Sequence, residues 1–293
     1  MRLWAIIPDE PITDDRAYLL GYLKSVFDEV ITSRAARTAN RVPEPERSPD
    51  MVLNLVCAKN RALLDDIDAH AQRCGVPVSP PSDGSWRTED KRTYLTDYPD
   101  VSPPTRIARS MDEVDVARTA FGGDIVIKDP FGFWGKGVER ISSDADMPVA
   151  EWLLANTMCD TRELIVQPYY SGFSRGEKRI VAQRTPDNSF EIIAYIFKQP
   201  PDRGWKSNIK IGGQSLRTEL TDAEVEFALA VAPRAGIDNV ALDVAEHDGR
   251  LYYVEHNQGY GGIVDFDLDR GTRNVSRCGE FLLHVARHGR PDD

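Results

Sequence analysis

Cysteine is scarce and scattered: four residues in a chain of 293, at positions 57, 74, 159 and 278, with no C-x-x-C pair. Five histidines are spread as widely. Such spacing offers neither a zinc site nor a disulfide framework, and it fits a reducing compartment. No stretch approaches the ~18 apolar residues of a membrane span. The apolar opening, Met1 to Pro8, is shorter than a signal-peptide core, so the expected location is the cytoplasm. No internal repeat or low-complexity tract is visible. Positive charge is also short: 36 Lys and Arg against 47 Asp and Glu, a net charge of −11 and a pI near 5.0. Nucleic acid and anionic membrane are therefore excluded as main partners. Lysine is rarer still, nine residues against 27 arginines, which makes the position of each one informative.

What is present describes an ordinary globular chain, 41% hydrophobic and 28% charged, large enough for two or three subdomains. Apolar runs and helical spacing alternate over the first 80 residues. They predict strands at Arg2 to Ile7, Glu29 to Thr32, Met51 to Cys57 and Val76 to Val78, with helices at Asp14 to Val26 and Arg61 to Cys74. That order implies a parallel α/β domain. Three prolines between Pro99 and Pro104 mark a boundary. Beyond it, a small α+β piece is expected: helix Met111 to Ala120, strand Asp124 to Lys128, helix Pro148 to Asn156 and strand Glu163 to Gln167. Strands at Arg179 to Arg184 and Glu191 to Lys198 follow, then a helix Asp222 to Ala235 capped by Thr221 and a closing helix Glu280 to Ala286.

The last third holds Asn239 to Asn257, two β-branched and aromatic runs around Asp248-Gly249, a hairpin signature. With a three-residue loop, His247 to Gly249, Glu246 faces Arg250 and Asp243 faces Tyr253. Asp243, Glu255 and Asn257 then share one face, whereas a two-residue loop sends Asp243 to the other. Two carboxylates and an amide with no cation among them suit Mg²⁺ shared with phosphate. A solvated polar face is the other reading of this stretch.

Upstream, Ile125-Val-Ile-Lys128-Asp-Pro-Phe-Gly132-Phe-Trp-Gly135-Lys-Gly137 brings a lysine on a strand to a glycine-rich loop, a pattern for cradling phosphate. It fits neither a Walker loop nor a dinucleotide fingerprint, and a plain glycine-rich hairpin explains it as well. Lys91 opens a short helix-like segment. Gln167-Pro168-Tyr169-Tyr170 ends a strand with groups able to line a base. Glu177-Lys178-Arg179 enters the next strand, and Lys206-Ser-Asn208-Ile-Lys210-Ile-Gly212-Gly213 is a basic loop. Arg179, Lys206 and Lys210 would make a cationic locus for phosphate. Gly172-Phe-Ser174-Arg-Gly176 matches the nucleophile-elbow pattern, but a strand is expected after it where that motif needs a helix.

Taken in order from Lys91 onward, these segments resemble the ATP-grasp ligases, most closely their glutathione synthetase and glutamate-adding branch. The resemblance rests on E-D-K-R, V-I-K-D-P-F-G-F-W-G-K-G-V, I-V-Q-P-Y-Y, G-E-K-R-I-V, S-N-I-K-I-G-G, A-L-D-V and V-E-H-N. It implies an α/β and α+β ATP-grasp fold: an N-terminal parallel domain (1–95), a small lid (96–170) and a larger C-terminal α+β domain (171–293). It further implies that Lys91 and Lys128 hold the α/β-phosphates of ATP under the Gly132, Gly135 and Gly137 loop. Gln167, Pro168, Tyr169 and Tyr170 would line the adenine and Glu177 would take the ribose. Asp243, Glu255 and Asn257 would bind Mg²⁺, and Arg179, Lys206 and Asn208 would serve catalysis. Lys210, Gly212, Gly213, Gly259 and Gly261 would face the substrate. The synthetase pattern has Arg where Lys206 stands, and Gln258-Gly-Tyr-Gly-Gly after Asn257 is not its own, so glutathione is a poor guess.

The expected activity is ATP-dependent ligation of a carboxylate to an amine through an acyl phosphate, on a small amino-acid-like substrate. One similar group is the cyclo-ligase of D-cycloserine biosynthesis, where both groups belong to one molecule. A homodimer is the family's habit. A phosphotransferase on the same fold and a nucleotide-binding module without turnover are the rival readings. Arg16, Asn54 and Lys59 are candidate substrate readers in the first domain.

Overall fold

A computed structural model describes residues 1–9, 14–35, 40–56, 61–202, 204–258 and 274–290. The N-terminal segment forms a parallel sheet in the order β2 (Glu29–Ala35), β1 (Arg2–Pro8), β3 (Met51–Asn54), β4 (Val78–Ser79). Both faces of the central strands are covered, which is why they read as unbroken apolar runs. Leu3, Ala5, Ile7, Met51 and Leu53 pack on α1 (Asp14–Val26). Trp4, Ile6 and Val52, one residue out of phase, pack on Leu63, Leu64, Ile67 and Ala71 of α2 (Arg61–Cys74). Three expected strands shift, the one placed at Val76 to Val78 moving to Val78–Ser79. Residues 29–32 extend to Ala35, and the strand begun at Met51 stops at Asn54, whose side-chain oxygen accepts from the amide of Val56 (3.0 Å).

Two short helices, α3 (Ser82–Glu89) and α4 (Thr93–Thr96), lead into an antiparallel sheet. Its order is β5 (Arg106–Ala108), β8 (Leu164–Pro168), β6 (Ile125–Lys128), β7 (Val138–Ile141). Helices α5 (Met111–Ala120) and α6 (Met147–Ala155) contribute Val114, Ala117, Ala150 and Leu153 to the core of this layer. The third sheet is antiparallel: β11 (Gln214–Leu216), β10 (Phe190–Gln199), β9 (Glu177–Arg184), β12 (Asn239–His247), β13 (Arg250–Gln258). On one face Ile180, Leu242, Val244 and Tyr253 pack with Ala228 and Val231 of α7 (Asp222–Val231). On the other, Val181 and Ala241 join the core of α1 and α8 (Asn274–His288).

Thr221 caps α7 in a capping box with Glu224. The helix tightens to a 3₁₀ turn at Ala232–Ala235, because Pro233 has no amide hydrogen to continue the ladder. The final helix starts six residues earlier than its periodicity predicts and ends at His288. At the elbow-like motif, Ser171–Arg175 is a 3₁₀ turn in which Ser174 Oγ donates to the Ser171 carbonyl (2.7 Å), and strand β9 follows. No nucleophile elbow forms there.

Candidate active site

The hairpin corrects one expectation and rescues its consequence. The loop has two residues, with His247 opposite Arg250; Asp248 and Gly249 take positive φ (50° and 76°). That pair of left-handed residues is what a tight hairpin with native twist requires. By alternation alone, Asp243 would then face Val254. Instead a bulge inserts Val254 between Tyr253, which pairs with Val244, and Glu255, which pairs with Asp243. One extra residue flips the alternation. Asp243, Glu255 and Asn257 therefore do share a face.

Register extends that face across four strands. Arg179 pairs with Asp243, and Lys198 with Glu177. Asp243 is fully buried and receives Arg179 Nε and Nη2 (2.8 Å each) and Lys198 Nζ (2.8 Å). Lys198 Nζ also pairs with Glu177. Burial alone would raise the Asp243 carboxyl, but the charges of Arg179 and Lys198 override it and hold it well below the usual carboxylate range. Burial raises Glu177 despite Lys198. Lys198, which no sequence motif marks, thus joins the two carboxylates.

Facing this sheet is the wall of β6 and its glycine loop. Lys128 leaves the end of β6 and donates to Tyr94 Oη (3.3 Å), its Nζ lying 4.7 Å from the centre of the same ring. Lys91 Nζ bonds the Gly132 carbonyl and lies 3.9 Å from Glu255. Asp129, buried, accepts from the amides of Phe131 (2.9 Å) and Met158 (2.7 Å) and sits against Gly137, which fixes the loop's base. Lys206 reaches across to the Gly135 carbonyl and Glu139 (3.3 Å each) rather than to Asp243. Asn208 Oδ1 abuts Gly135, whose φ is +75°. The two loops close one side of a cleft that also borders Lys91, Lys128, Glu177 and Glu255.

At its other end, Gln167 Nε2 donates to Thr105 Oγ1 (2.8 Å), and the Tyr169 amide donates to the Asp124 carbonyl (2.9 Å). The Arg140 guanidinium covers the Tyr169 ring at 3.8 Å, and Trp205 meets that ring edge-on at 6.0 Å. Tyr170 stacks on His247 (4.4 Å, 12°). Pro168, Tyr169 and Tyr170 line the cleft, with Trp205 as a wall the sequence did not single out. Gly212 ends the 3₁₀ turn Ile209–Ile211 that contains Lys210, and the Gly213 amide donates to the Asn208 carbonyl (3.1 Å). Gly259, Gly261 and Lys59 lie outside the described residues. Asn54 is spent on Val56 and Ser85, and Arg16 stands on α1.

By donor type, two carboxylates and an amide oxygen suit Mg²⁺. Contrary to expectation, the face is not free of cations: both Asp243 oxygens are held by Arg179 and Lys198, which would have to release them to an ion. Asn257 Nδ2 is buried with no hydrogen-bond partner among the described residues; it is a donor, so the amide oxygen is the atom that would meet a cation. Among the described residues no cluster of three or more His, Cys, Asp or Glu side chains gathers. An ion here would therefore complete its shell from phosphate and water. His256, between the two, is not a ligand candidate. It is buried in contact with Tyr253, and burial, then Lys91 and Arg87, push its pKa down to about 3.

Gly135 gives a direct check on loop closure. A Cβ there would sit 2.8 Å from Asn208 Oδ1 in a left-handed backbone. Gly135→Ala is expected to weaken Mg·ADP binding about tenfold, with the melting temperature nearly unchanged, because ~1–2 kcal/mol of strain falls on the loop alone. Calorimetric titration beside a thermal melt reads both.

The prokaryotic glutathione synthetase ATP-grasp domain model matches residues 91–252, more than half of the chain, and stops short of Glu255 and Asn257. The glutathione synthetase of Mesorhizobium japonicum is 29% identical over 167 residues, 56% of this chain and 51% of that protein. The chain spans about half the length of the curated relatives it matches. Among solved structures, a RimK-domain ATP-grasp protein from Sphaerobacter thermophilus superposes with a TM-score of 0.71 at 16% identity, covering 97% of this chain and 100% of its own. D-cycloserine synthetase superposes with a TM-score of 0.71 at 17% identity, covering 99% and 100%. These likenesses show the ATP-grasp fold.

Proposed function

Since the chain belongs to the ATP-grasp domain family of prokaryotic glutathione synthetases, we propose that it is an ATP-dependent, ADP-forming carboxylate–amine ligase acting through an acyl phosphate on a small amino-acid-like substrate. The observation that carries this reading is the pair of facing walls. Arg179, Lys198, Asp243 and Glu255 stand on one sheet face and Lys91 and Lys128 on the wall facing it. The described residues that line the cleft include neither cysteine nor histidine. Lys91, Lys128 and Lys206 line the cleft and Arg179 and Lys198 bind Asp243, five cations in a protein of net charge −11. Such a site supplies position and charge, not covalent catalysis.

On this reading the chain divides into 1–95, 96–170 and 171–293, and ATP lies between the last two parts. Lys91, Lys128 and the loop of Gly132, Gly135 and Gly137 hold its phosphates. Gln167 to Tyr170 and Glu177 hold the nucleoside. Asp243, Glu255 and Asn257 would hold Mg²⁺, which would supply charge neutralisation at the phosphates. A substrate carboxylate oxygen attacks the γ-phosphorus, the bond to the β-phosphate oxygen breaks, and ADP leaves. Arg179 and Lys198, both bonded to Asp243, would exchange that carboxylate for the transferring phosphoryl group. An amine then attacks the acyl carbon, loses its proton, and phosphate departs. Lys206 and Asn208 steady the loop over the reacting atoms, and the 210–213 segment with Gly259 and Gly261 faces the acceptor.

The test is a product assay with Mg²⁺, ATP and a panel of amino acids, with and without hydroxylamine. ADP and phosphate with one substrate, plus a trapped hydroxamate, are expected. Phosphate release with no added amine identifies intramolecular closure. ADP with a phosphorylated acceptor and no hydroxamate overturns ligation in favour of phosphoryl transfer.

A further inference from the structure

The bulge at Val254 sets the metal face, so what holds the bulge matters. Both fastenings come from the segment after Lys91. Tyr94 Oη donates to the Val254 carbonyl, and the Val101 carbonyl accepts from the Tyr253 amide (2.8 Å). Tyr94 is buried, with its ring edge-on to Tyr253 at 5.5 Å. Its hydroxyl has a second partner on the opposite wall, Lys128 Nζ at 3.3 Å. One phenol therefore touches the residue that aims Glu255 and the lysine that faces the cleft.

We propose that Tyr94 is a positioning residue that ties Lys128 to the metal-bearing strand, setting the distance between the phosphate lysine and Glu255. The inference rests on the nucleotide reading above. It asks more of Tyr94 than core packing, because the ring fills space while the hydroxyl bridges two walls. A phenylalanine keeps the ring contact with Tyr253 and the cation–π contact with Lys128 but loses both bonds of the oxygen. Its neighbour Tyr98 is an internal control. It is equally buried and stacks on Tyr253 at 4.0 Å, yet its hydroxyl has no hydrogen-bond partner among the described residues.

The experiment is titration of Mg·ADP by calorimetry into the full-length wild type, Tyr94→Phe, Tyr98→Phe, Lys128→Met and the Tyr94→Phe/Lys128→Met double variant, at several Mg²⁺ concentrations. Tyr94→Phe is expected to bind about tenfold more weakly and to need several-fold more Mg²⁺ for half-maximal binding, as befits loss of one charge-assisted bond. Tyr98→Phe should match wild type. In the double variant the two losses should fall well short of additive, since both act on one contact. Unchanged affinity in Tyr94→Phe, or strictly additive losses, overturns the proposal and leaves the ligase reading standing. A wild type that binds no Mg·ADP overturns the reading itself. Should Tyr94→Phe not fold, Tyr94→4-aminophenylalanine keeps a donor for Val254 and is a poor acceptor for Lys128. That variant should fold and still lose affinity, and wild-type binding by it sinks the proposal.

Discussion

Lys198→Met lowers the melting temperature by roughly 10 °C and cuts turnover by about 10²–10³-fold. Met matches the length of the Lys198 stem, so the packing loss is small. The charge loss is not. Lys198 is 3% exposed and stands between Asp243 (2.8 Å) and Glu177. Without it, the buried Asp243 and the half-buried Glu177 share one guanidinium, and breaking a buried pair costs about 3–5 kcal/mol. The pH dependence carries a sign. Burial has already raised Glu177, with Lys198 the main opposing charge. Removing that charge raises it further. A carboxyl whose folded pKa lies above its unfolded value adds stability below the unfolded value and loses it as pH rises through the folded one. The gap in melting temperature between wild type and variant should therefore widen as pH rises above the ordinary carboxylate range. Adding Glu177→Gln removes the second unpaired carboxylate, so Lys198→Met/Glu177→Gln should regain several degrees without regaining turnover. Recovery of both together would make Lys198 a purely structural residue.

Much of this architecture is legible in the sequence because its signals are local. The boundaries of α1, α2 and α5 fall where apolar spacing puts them, and β1 and β6 read as short buried runs. Lys91, Lys128 and the glycine loop are legible because glycine and lysine in an Arg-rich chain mark themselves. Lys198 is not, though a lone lysine ending the apolar strand from Glu191 was a usable clue. Its role exists only through register: pairing with Glu177 puts it beside Asp243, 45 residues away. The bulge at Val254 is hidden for the same reason. Two wrong steps, a three-residue loop and no bulge, lead to the correct face, because each shifts the alternation by one. Tyr94 is invisible because nothing in T-Y-L-T distinguishes a core tyrosine from a bridging one. Lys206 departs from its expected aim. Its bonds go to the Gly135 carbonyl and Glu139, two acceptors brought to it by the fold of the glycine loop and not by anything adjacent in sequence.

With Lys128 on the phosphates, as proposed, nucleotide affinity is expected to depend on pH in a window set by the lysine's surroundings. Burial lowers its pKa from the ordinary 10.5 to about 8; Glu255 and Glu177 pull it back up and Lys91 pushes it further down. Phosphate binds the ammonium form and stabilises it, so the pKa rises again in the complex. Below pH 8 the free protein already carries the charge, and affinity for Mg·ADP should be flat. Above pH 8 binding must take up a proton, and affinity should fall by up to about tenfold per pH unit until the pKa of the complex is reached. Calorimetry at pH 9 in two buffers of different ionisation enthalpy should register that uptake as a fractional proton per nucleotide. Lys128→Met should lose about 10–100-fold at pH 7, the worth of one charged hydrogen bond to phosphate, and should show neither the break at pH 8 nor the proton uptake. An affinity that stays level to pH 10 in the wild type would mean that the lysine is not in contact with the nucleotide. The phosphates would then rest on Lys91 and the loop amides, and Lys128 would be left as the partner of Tyr94 alone.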